Sequence, residues 1–484
     1  MNRKVIGTAC AAVLAIGLLG AAGTPAAADD GQEHSYLVLG PQGQGTKNAQ
    51  KRVTAAGGTV VAAYDQIGVL VVRSSSGDFA SRVGGGLEVA ATDGLGTTLI
   101  DDEAAAPVDP AALGAPGDPT AEPLWGLQWD MQQIDVAEAH GVTTGDPSVV
   151  VGVLDSGIDS SHPDLTTQIA YEQSASCIGG VVDTDEAAWN PTTSDHGTHV
   201  AGTIAAAING VGIAGVAPGV KVAAVKVVND DGYIYPEAAI CGYLWAADHG
   251  MPVTNNSYYI DPWEFNCVND PSQRPVWQAV QRALRYSSAK GTLTVASAGN
   301  SNVDLQHKFV DSTSPNDGSA PVEDRTITGA CRDLPAEAPG VVTVSAVGPT
   351  EQKSYYSSYG QGVVDVTAPG GDTRFRTQGA SRTVADGVLS TVPGGWGYKQ
   401  GTSMAGPHAA GVAALAVSAH PGMKPGQLAS FLERTATPLS CPAGVYNPVP
   451  LWAGSETAYE ASCTGGARNG FYGAGNVNAF NVVQ

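Results

Sequence analysis

Asp155 closes the apolar run 149–154 and is followed by Ser156-Gly157-Ile158-Asp159. His196 stands in Ser194-Asp195-His196-Gly197-Thr198-His199-Val200-Ala201-Gly202, where a helix should begin. Ser403 stands in Gly401-Thr402-Ser403-Met404-Ala405-Gly406-Pro407-His408, at the start of another apolar helix. A serine hydroxyl alone is a weak nucleophile. It becomes effective when an imidazole takes its proton and a carboxylate orients that imidazole and stabilises its cation. A fourth segment, Ala298-Gly299-Asn300, ends the apolar run that starts at 292. Attack on a carbonyl creates an oxyanion, which needs donors aimed at it. The Asn300 amide can supply one, and the Ser403 backbone N–H, at a helix N-terminus, another. Gly299 and Gly401 let backbone approach a bound chain closely. Taken singly, each piece is ordinary: an Asp after a strand reads as a turn residue, a Ser at a helix start as an N-cap.

These segments need a scaffold that brings them together. Residues 149–154, 220–228, 292–296, 341–347 and 363–366 are continuous apolar runs, as expected of strands buried on both faces. Helical stretches lie between or after them. Residues 236–249 start with a Pro and stop at Gly250, and residues 275–290 repeat that arrangement with Gly291. The alternation predicts an α/β fold: a doubly wound, mostly parallel sheet with helices on both faces. Sites in that architecture lie at the carboxyl ends of the strands.

The start of the chain reads as export machinery. Arg3-Lys4, the apolar stretch 5–19 and Ala26-Ala27-Ala28 make residues 1–28 a secretory signal, and the product secreted. The apolar stretch is short for a bilayer span, and no later segment is long and apolar enough. Residues 29–106 form a small α+β unit, with short strands at 36–39, 59–63 and 69–72 and a helix near 47–56 ended by Gly57-Gly58. From 101 to 123 the composition shifts to Asp, Glu, Ala, Pro and Gly, which predicts an exposed linker open to proteases. The main domain is then 124–484.

Composition excludes several partners. The net charge of −22 argues against nucleic acid and anionic membranes, which need clustered Lys and Arg. Six of the seven cysteines lie beyond the signal, and none forms a CxxC pair. An even count in an exported chain favours disulfides over a zinc site. Cys441–Cys463 is the favoured pair, since both lie in one Pro/Gly-rich excursion.

Together the four catalytic segments, in the order Asp, His, Asn, Ser, resemble the subtilisin-like serine protease family (peptidase S8). The resemblance runs from about Gln128 through Gly473-Ala474-Gly475-Asn476-Val477-Asn478. It implies Asp155 as orienting acid, His196 as general base, Ser403 as nucleophile and Asn300 as oxyanion donor, with no cofactor for catalysis. His199, His408, Asp159 and Asp195 belong to the same segments and read as structural. The resemblance further implies a serine endopeptidase acting on protein or peptide substrates, monomeric, and held as a precursor by its own propeptide. The maturation site falls in 107–123.

Two departures from the family pattern matter. Asn256-Ser257-Tyr258-Tyr259-Ile260 stands where the family has Ser-Leu-Gly-Gly on the edge that pairs with substrate, and Trp263, Phe265 and Cys267 follow. Ser257, Tyr258, Tyr259, Ala298 and Gly299 are the candidate substrate contacts, and the pockets are reshaped. Residues 297–302 carry no acid that would demand a basic residue. The second departure concerns a calcium site. Ser161-His162-Pro163-Asp164-Leu165 and the loop 207–213 resemble the family's calcium segments, with Asp164, Asn209 and the Ala207, Val211 and Ile213 carbonyls as ligands. Trp125 stands where the family has a glutamine ligand, with Gln128 or Asp130 as substitutes. Three readings compete: a general endopeptidase, a dedicated processing protease or peptidyl transferase, and a non-catalytic binding protein. The general endopeptidase leads; the intact catalytic positions count against the third, and the altered edge segment keeps the second open. No appended domain is expected after the catalytic region, so anchoring to polymer or cell wall is not expected either.

Overall fold

A computed structural model describes residues 32–92, 106–108, 122–316, 322, 324–374, 384–449 and 457–484. The signal expected at 1–28 lies outside the described residues, as does most of 101–123.

The first unit is β1 (His34–Leu39), α1 (Lys47–Ala55), β2 (Thr59–Tyr64), β3 (Val69–Ser74), α2 (Phe79–Val83) and β4 (Glu88–Ala91). Its strands form an antiparallel sheet in the order β2-β3-β1-β4. Side chains alternate between faces along each strand. Tyr36, Val38, Leu70 and Val72 pack on Val53 and Phe79 of the unit's own helices. Leu37, Leu39, Val69 and Val71 face the other way and join a core shared with the main domain.

After β5 (Ala106–Val108) come the short helices α3 (Trp129–Gln133) and α4 (Val136–His140), then β6 (Val150–Asp155). The chain continues through β7 (Ala175–Ser176), α5 (Glu186–Trp189), α6 (His196–Ala205), β8 (Lys221–Lys226), α7 (Pro236–Asp248), β9 (Val253–Asn256) and β10 (Asn266–Cys267). Next are α8 (Arg274–Lys290), β11 (Leu293–Ser297), β12 (Val310–Asp311), β13 (Arg325–Thr326), β14 (Cys331–Arg332), β15 (Val342–Val347) and β16 (Val366–Pro369). A hairpin of β17 (Val388–Val392) and β18 (Gly395–Lys399) leads into α9 (Thr402–Ala419) and α10 (Pro425–Thr435).

The main sheet has seven strands, β16-β15-β11-β9-β6-β8-β7, with every pairing parallel. All six residues of β6 are buried: Val151 and Val153 face one core, Val150 and Leu154 the other. Both faces of the strand are therefore dry, which is why its sequence is a continuous apolar run. α9 is buried from Met404 to Leu415 and lies under the sheet as a core helix. α8 ends where Gly291 takes φ 111°, a left-handed cap that suits glycine.

Two expectations need correction. β9 lies outside the apolar runs that mark most other strands of the sheet, because its Asn255 and Asn256 are polar. They are buried all the same, with Asn256 donating to the Val295 carbonyl (3.1 Å) and Asn255 to the Ser257 hydroxyl (2.8 Å). The exposed linker expected across 101–123 is also interrupted. Residues 106–108 pair antiparallel with Trp396 to Tyr398 of β18, and Glu122 is fully buried.

Candidate active site

β6, α6, α9 and the end of β11 bring the four catalytic segments to the carboxyl edge of the sheet. Asp155 is the last residue of β6 and is 1% exposed. Its carboxylate receives His196 Nδ1 at 2.9 and 3.0 Å, and the Ser156 N–H at 2.7 Å. The Ser156 hydroxyl in turn accepts the Gly197 N–H (2.9 Å), tying the start of α6 to the end of β6. Gly197 is required there: a Cβ would stand 2.3 Å from the Gly157 carbonyl oxygen and 3.1 Å from Asp155 Oδ1. A hydrogen bond through Nδ1 leaves Nε2 as the basic nitrogen. Ser156 was not among the expected site residues, although it adjoins Asp155.

Ser403 is the second residue of α9. Its hydroxyl donates to the Ser257 carbonyl (3.3 Å), so its proton must turn to the imidazole before attack. The Asn300 side chain is oriented by Thr402, whose N–H (2.9 Å) and hydroxyl (2.7 Å) both donate to Oδ1. An N–H can only donate, so the accepting atom must be oxygen, and Nδ2 is left as the free-facing donor. Asp155, His196, Asn300 and Ser403 line a single cleft of about 460 Å³. Thr402 is a positioning residue that the motif contained but sequence reasoning passed over.

The structural assignments of the neighbouring residues have clear physical content. His199 is fully buried, with Nε2 on the Val388 and Gly397 carbonyls (both 3.1 Å). Burial, with Lys399 and His196 nearby, lowers its pKa to about 3, so it stays neutral. His408 joins Asp130 through Nε2 (2.9 Å) and the Met404 carbonyl through Nδ1 (2.8 Å), both residues fully buried. Asp159 accepts the Ser161 N–H (2.9 Å) and hydroxyl (2.6 Å), a local turn. Asp195, which precedes α6, makes no side-chain cap there and instead pairs with Lys399 of β18 at 2.8 Å.

Of the candidate substrate contacts, Ser257 and Tyr258 line the cleft. The Ser257 hydroxyl also donates to the Ser403 carbonyl (2.9 Å). The Tyr258 hydroxyl is drawn inward to Asn256 Oδ1 (3.0 Å), and the Tyr259 hydroxyl accepts the Asn316 amide (2.9 Å). Ala298 is buried among Phe265 and Leu305 and offers only backbone. Gly299 has φ 96° and no side chain to block the cleft.

The residues expected to hold calcium do not fit a cation. Both Asp164 oxygens accept N–H donors: Asn209 Nδ2 (3.1 Å) on Oδ1, and Ile213 N (3.1 Å) and Trp396 Nε1 (2.7 Å) on Oδ2. Asn209 thus turns its amide N–H, not its oxygen, toward Asp164, and its oxygen accepts the Val211 N–H (2.9 Å). Gln128 closes a double hydrogen bond with Ala214, and Asp130 is taken by His408. The loop 207–213, from which the Ala207, Val211 and Ile213 carbonyls were to be supplied, instead wraps an anion. The Glu122 carboxylate accepts the N–H groups of Asn209, Gly210, Val211 and Gly212 at 2.5–3.1 Å. The polarity of this site is opposite to that of a calcium loop. No group of three or more His, Cys, Asp or Glu suited to a metal occurs among the described residues. Sequence reasoning missed Glu122 because it closes a stretch whose composition reads as linker.

Three disulfides cross-link the main domain: Cys177–Cys241, Cys267–Cys331 and Cys441–Cys463, the last as expected. No described helix is long and apolar enough to cross a membrane.

The Subtilase family profile matches residues 146–475. Fervidolysin from Fervidobacterium pennivorans is 31% identical over 344 residues, which is 66% of this chain and 41% of that protein. Subtilisin E from Bacillus subtilis (strain 168) is 32% identical over 314 residues, covering 64% of this chain and 66% of that protein. The chain thus spans about two fifths of fervidolysin's length. The crystal structure of the epidermin leader peptide processing serine protease from Staphylococcus aureus superposes with a TM-score of 0.67, over 93% of this chain and 98% of that one, at 19% identity. That last likeness bears on fold alone. The profile covers more than half of the chain, and its span contains all four catalytic segments: the chain belongs to the subtilase family.

Proposed function

We propose that the chain is a secreted serine endopeptidase made as a self-inhibited precursor. The observation that carries this reading is the Asp155–His196 pair sharing one cleft with Ser403 and an Asn300 amide whose Nδ2 is turned free. Ser403 Oγ attacks the carbonyl carbon of the scissile peptide while its proton passes to His196 Nε2. Asp155 holds the ring and stabilises the imidazolium. The tetrahedral oxyanion is met by Asn300 Nδ2 and the Ser403 N–H. Collapse breaks the C–N bond, His196 returns the proton to the leaving amine, and an acyl-enzyme remains on Ser403. Water, deprotonated by His196, then releases the acid. No cofactor enters any step.

Other features support the finer parts of the reading. Three disulfides suit an oxidising, extracellular compartment. The unit 32–92 presses one sheet face on α7 and α8 through Leu37, Val69, Ile240 and Val280. Arg282 of α8 donates to the Gly40 and Ile67 carbonyls (2.9 and 3.2 Å), and Tyr64 donates to the Gly180 carbonyl (2.6 Å). Such a surface suits a propeptide that stays bound until it is cut away. The mature enzyme acts as a monomer on protein or peptide substrates, and maturation falls within 107–123.

The test is the intact mass of the secreted protein before and after a fluorophosphonate probe. A gain of one probe mapped to Ser403, on a chain starting within 107–123, supports the reading. A matured chain that takes no probe sinks it. Digestion of an unfolded generic protein then separates general hydrolysis from dedicated processing, since a processing enzyme leaves most of it uncut.

A further inference from the structure

One buried acid beside the cleft is used by no step of the hydrolysis. Asp333 directly follows β14 and is 3% exposed, and its Oδ1 is buried without a hydrogen-bond partner. A buried carboxylate oxygen in that condition is unfavourable unless a donor or cation meets it. Its location is fixed by two contacts. Ile260 N donates to the Leu334 carbonyl (2.9 Å), so the backbone next to Asp333 is joined to the edge segment 256–260. From the other side, a Cβ placed on Gly299 would stand 3.5 Å from Asp333 Oδ2. The carboxylate therefore sits between the substrate edge segment and the residue preceding Asn300. On the endopeptidase reading, a peptide paired along 256–260 with its scissile carbonyl at Asn300 would set its acyl-side side chain between these same two segments.

The surroundings sharpen the charge argument. Glu264 and Glu337 lie beside Asp333 and, after burial itself, are the main influences holding its carboxyl well above the usual carboxylate range. The cations of the neighbourhood are engaged elsewhere. Lys308 and Arg332 both pair with Glu337 Oε1, and Arg325 pairs with Asp311. The neighbourhood thus holds four carboxyl groups, of Glu264, Asp311, Asp333 and Glu337, against three cations, so an arriving cation would favour ionisation of Asp333, and Gly299 puts no side chain in the way.

We propose that Asp333 is a specificity-determining residue that selects lysine or arginine on the acyl side of the cleaved bond. The inference rests on the endopeptidase reading above. It also revises the expectation drawn from residues 297–302: the acid comes from a segment some thirty residues further on, brought in by the β10–β14 pairing and the Cys267–Cys331 bridge.

The experiment compares matched fluorogenic peptides carrying Arg, Lys, Leu or Phe at that position, on the matured enzyme and on Asp333→Asn. Fluorophosphonate labelling of Ser403 is run in parallel. The expected result is a preference in kcat/KM of at least about 30-fold for Arg or Lys, lost in Asp333→Asn while probe labelling persists. Benzamidine, a free cation of the same shape class, should compete with labelling of the parent and not of the variant. A labelled parent that prefers Leu or Phe overturns the inference and leaves the protease reading standing. So does a variant that keeps the basic preference. A matured parent that takes no probe overturns both. If Asp333→Asn does not fold, the parent's own preference and its response to benzamidine still decide the matter.

Discussion

Glu122 and Asp333 are both acids buried in the main domain, at 0% and 3% exposure, and their surroundings differ in kind. Glu122 is met by four backbone N–H groups of one loop, so its lone pairs are filled and its charge is delocalised over aligned dipoles. Asp333 keeps one oxygen without a partner and has acids for neighbours. Burial alone does not tell what an acid is for. The set of partners separates the two: Glu122 is saturated within the fold, and Asp333 is not.

The following measurements use the Ser403→Ala background, which stops self-digestion. The largest expected effect concerns a third buried group, His199, which adds a pH axis. Its folded pKa of about 3 lies below its ordinary value of 6.5, so the unfolded chain binds more protons between those limits. Stability should therefore fall as pH drops from about 6.5 to 3, by up to roughly 4 kcal/mol from this residue. In His199→Gln, denaturation midpoints should show a shallower acid limb. An unchanged limb would assign the acid sensitivity elsewhere.

Next in size, Glu122→Ala should cost about 2–3 kcal/mol, since solvent can reach the loop tip but not the Gly212 N–H. Glu122→Gln should restore about half of that by supplying one acceptor. Equal midpoints for all three would break the contrast between saturated and unsaturated acids. Asp333→Asn should behave oppositely, gaining about 1 kcal/mol at neutral pH, because it removes an acid whose ionised form burial and the neighbouring acids disfavour. Asp333 has a raised folded pKa, so the parent loses stability as pH rises above about 4, and the variant's advantage should widen with pH. A loss growing with pH would show Asp333 to be a structural acid. Smallest of all, EDTA should leave the midpoint of the parent unchanged. A midpoint that rises with added Ca²⁺ would show that the Asp164 loop rearranges to admit a cation.

The candidate site was legible because each member lies within a few residues of an element boundary that the sequence marks. Asp155 follows a strand buried on both faces, His196 and Ser403 open helices, and Asn300 follows β11. Asp333 carries no such mark. Arg332-Asp333-Leu334-Pro335 has neither periodicity nor motif, and its place depends on a two-residue ladder and a disulfide. The calcium reading failed for a related reason. Asp164 and Asn209 are present as expected, but whether a loop offers oxygens or N–H groups is set by backbone orientation and by what competes for it. Here Trp396, from a strand more than two hundred residues away, and Glu122 compete successfully. β9 was hidden because its asparagines are buried with their amide N–H groups on Thr254, Ser257 and the Val295 carbonyl, a condition that hydropathy does not register.

Pro407, inside α9, changes how Ser403 is mounted. In an unbroken helix the N–H of residue 407 would bond to the carbonyl of residue 403. Proline has no N–H, so the Ser403 carbonyl is released from the helix ladder, and Ser257 takes its place. Ser257 therefore grips Ser403 twice, donating to its carbonyl and accepting from its hydroxyl. The first turn of α9 is thus tied to the segment after β9 through this one carbonyl, while Met404 and Ala405 still donate to the Gly401 carbonyl. The position of Ser403 is thereby set by the edge segment as well as by its own helix, so a shift of residues 256–258 would carry the hydroxyl with it.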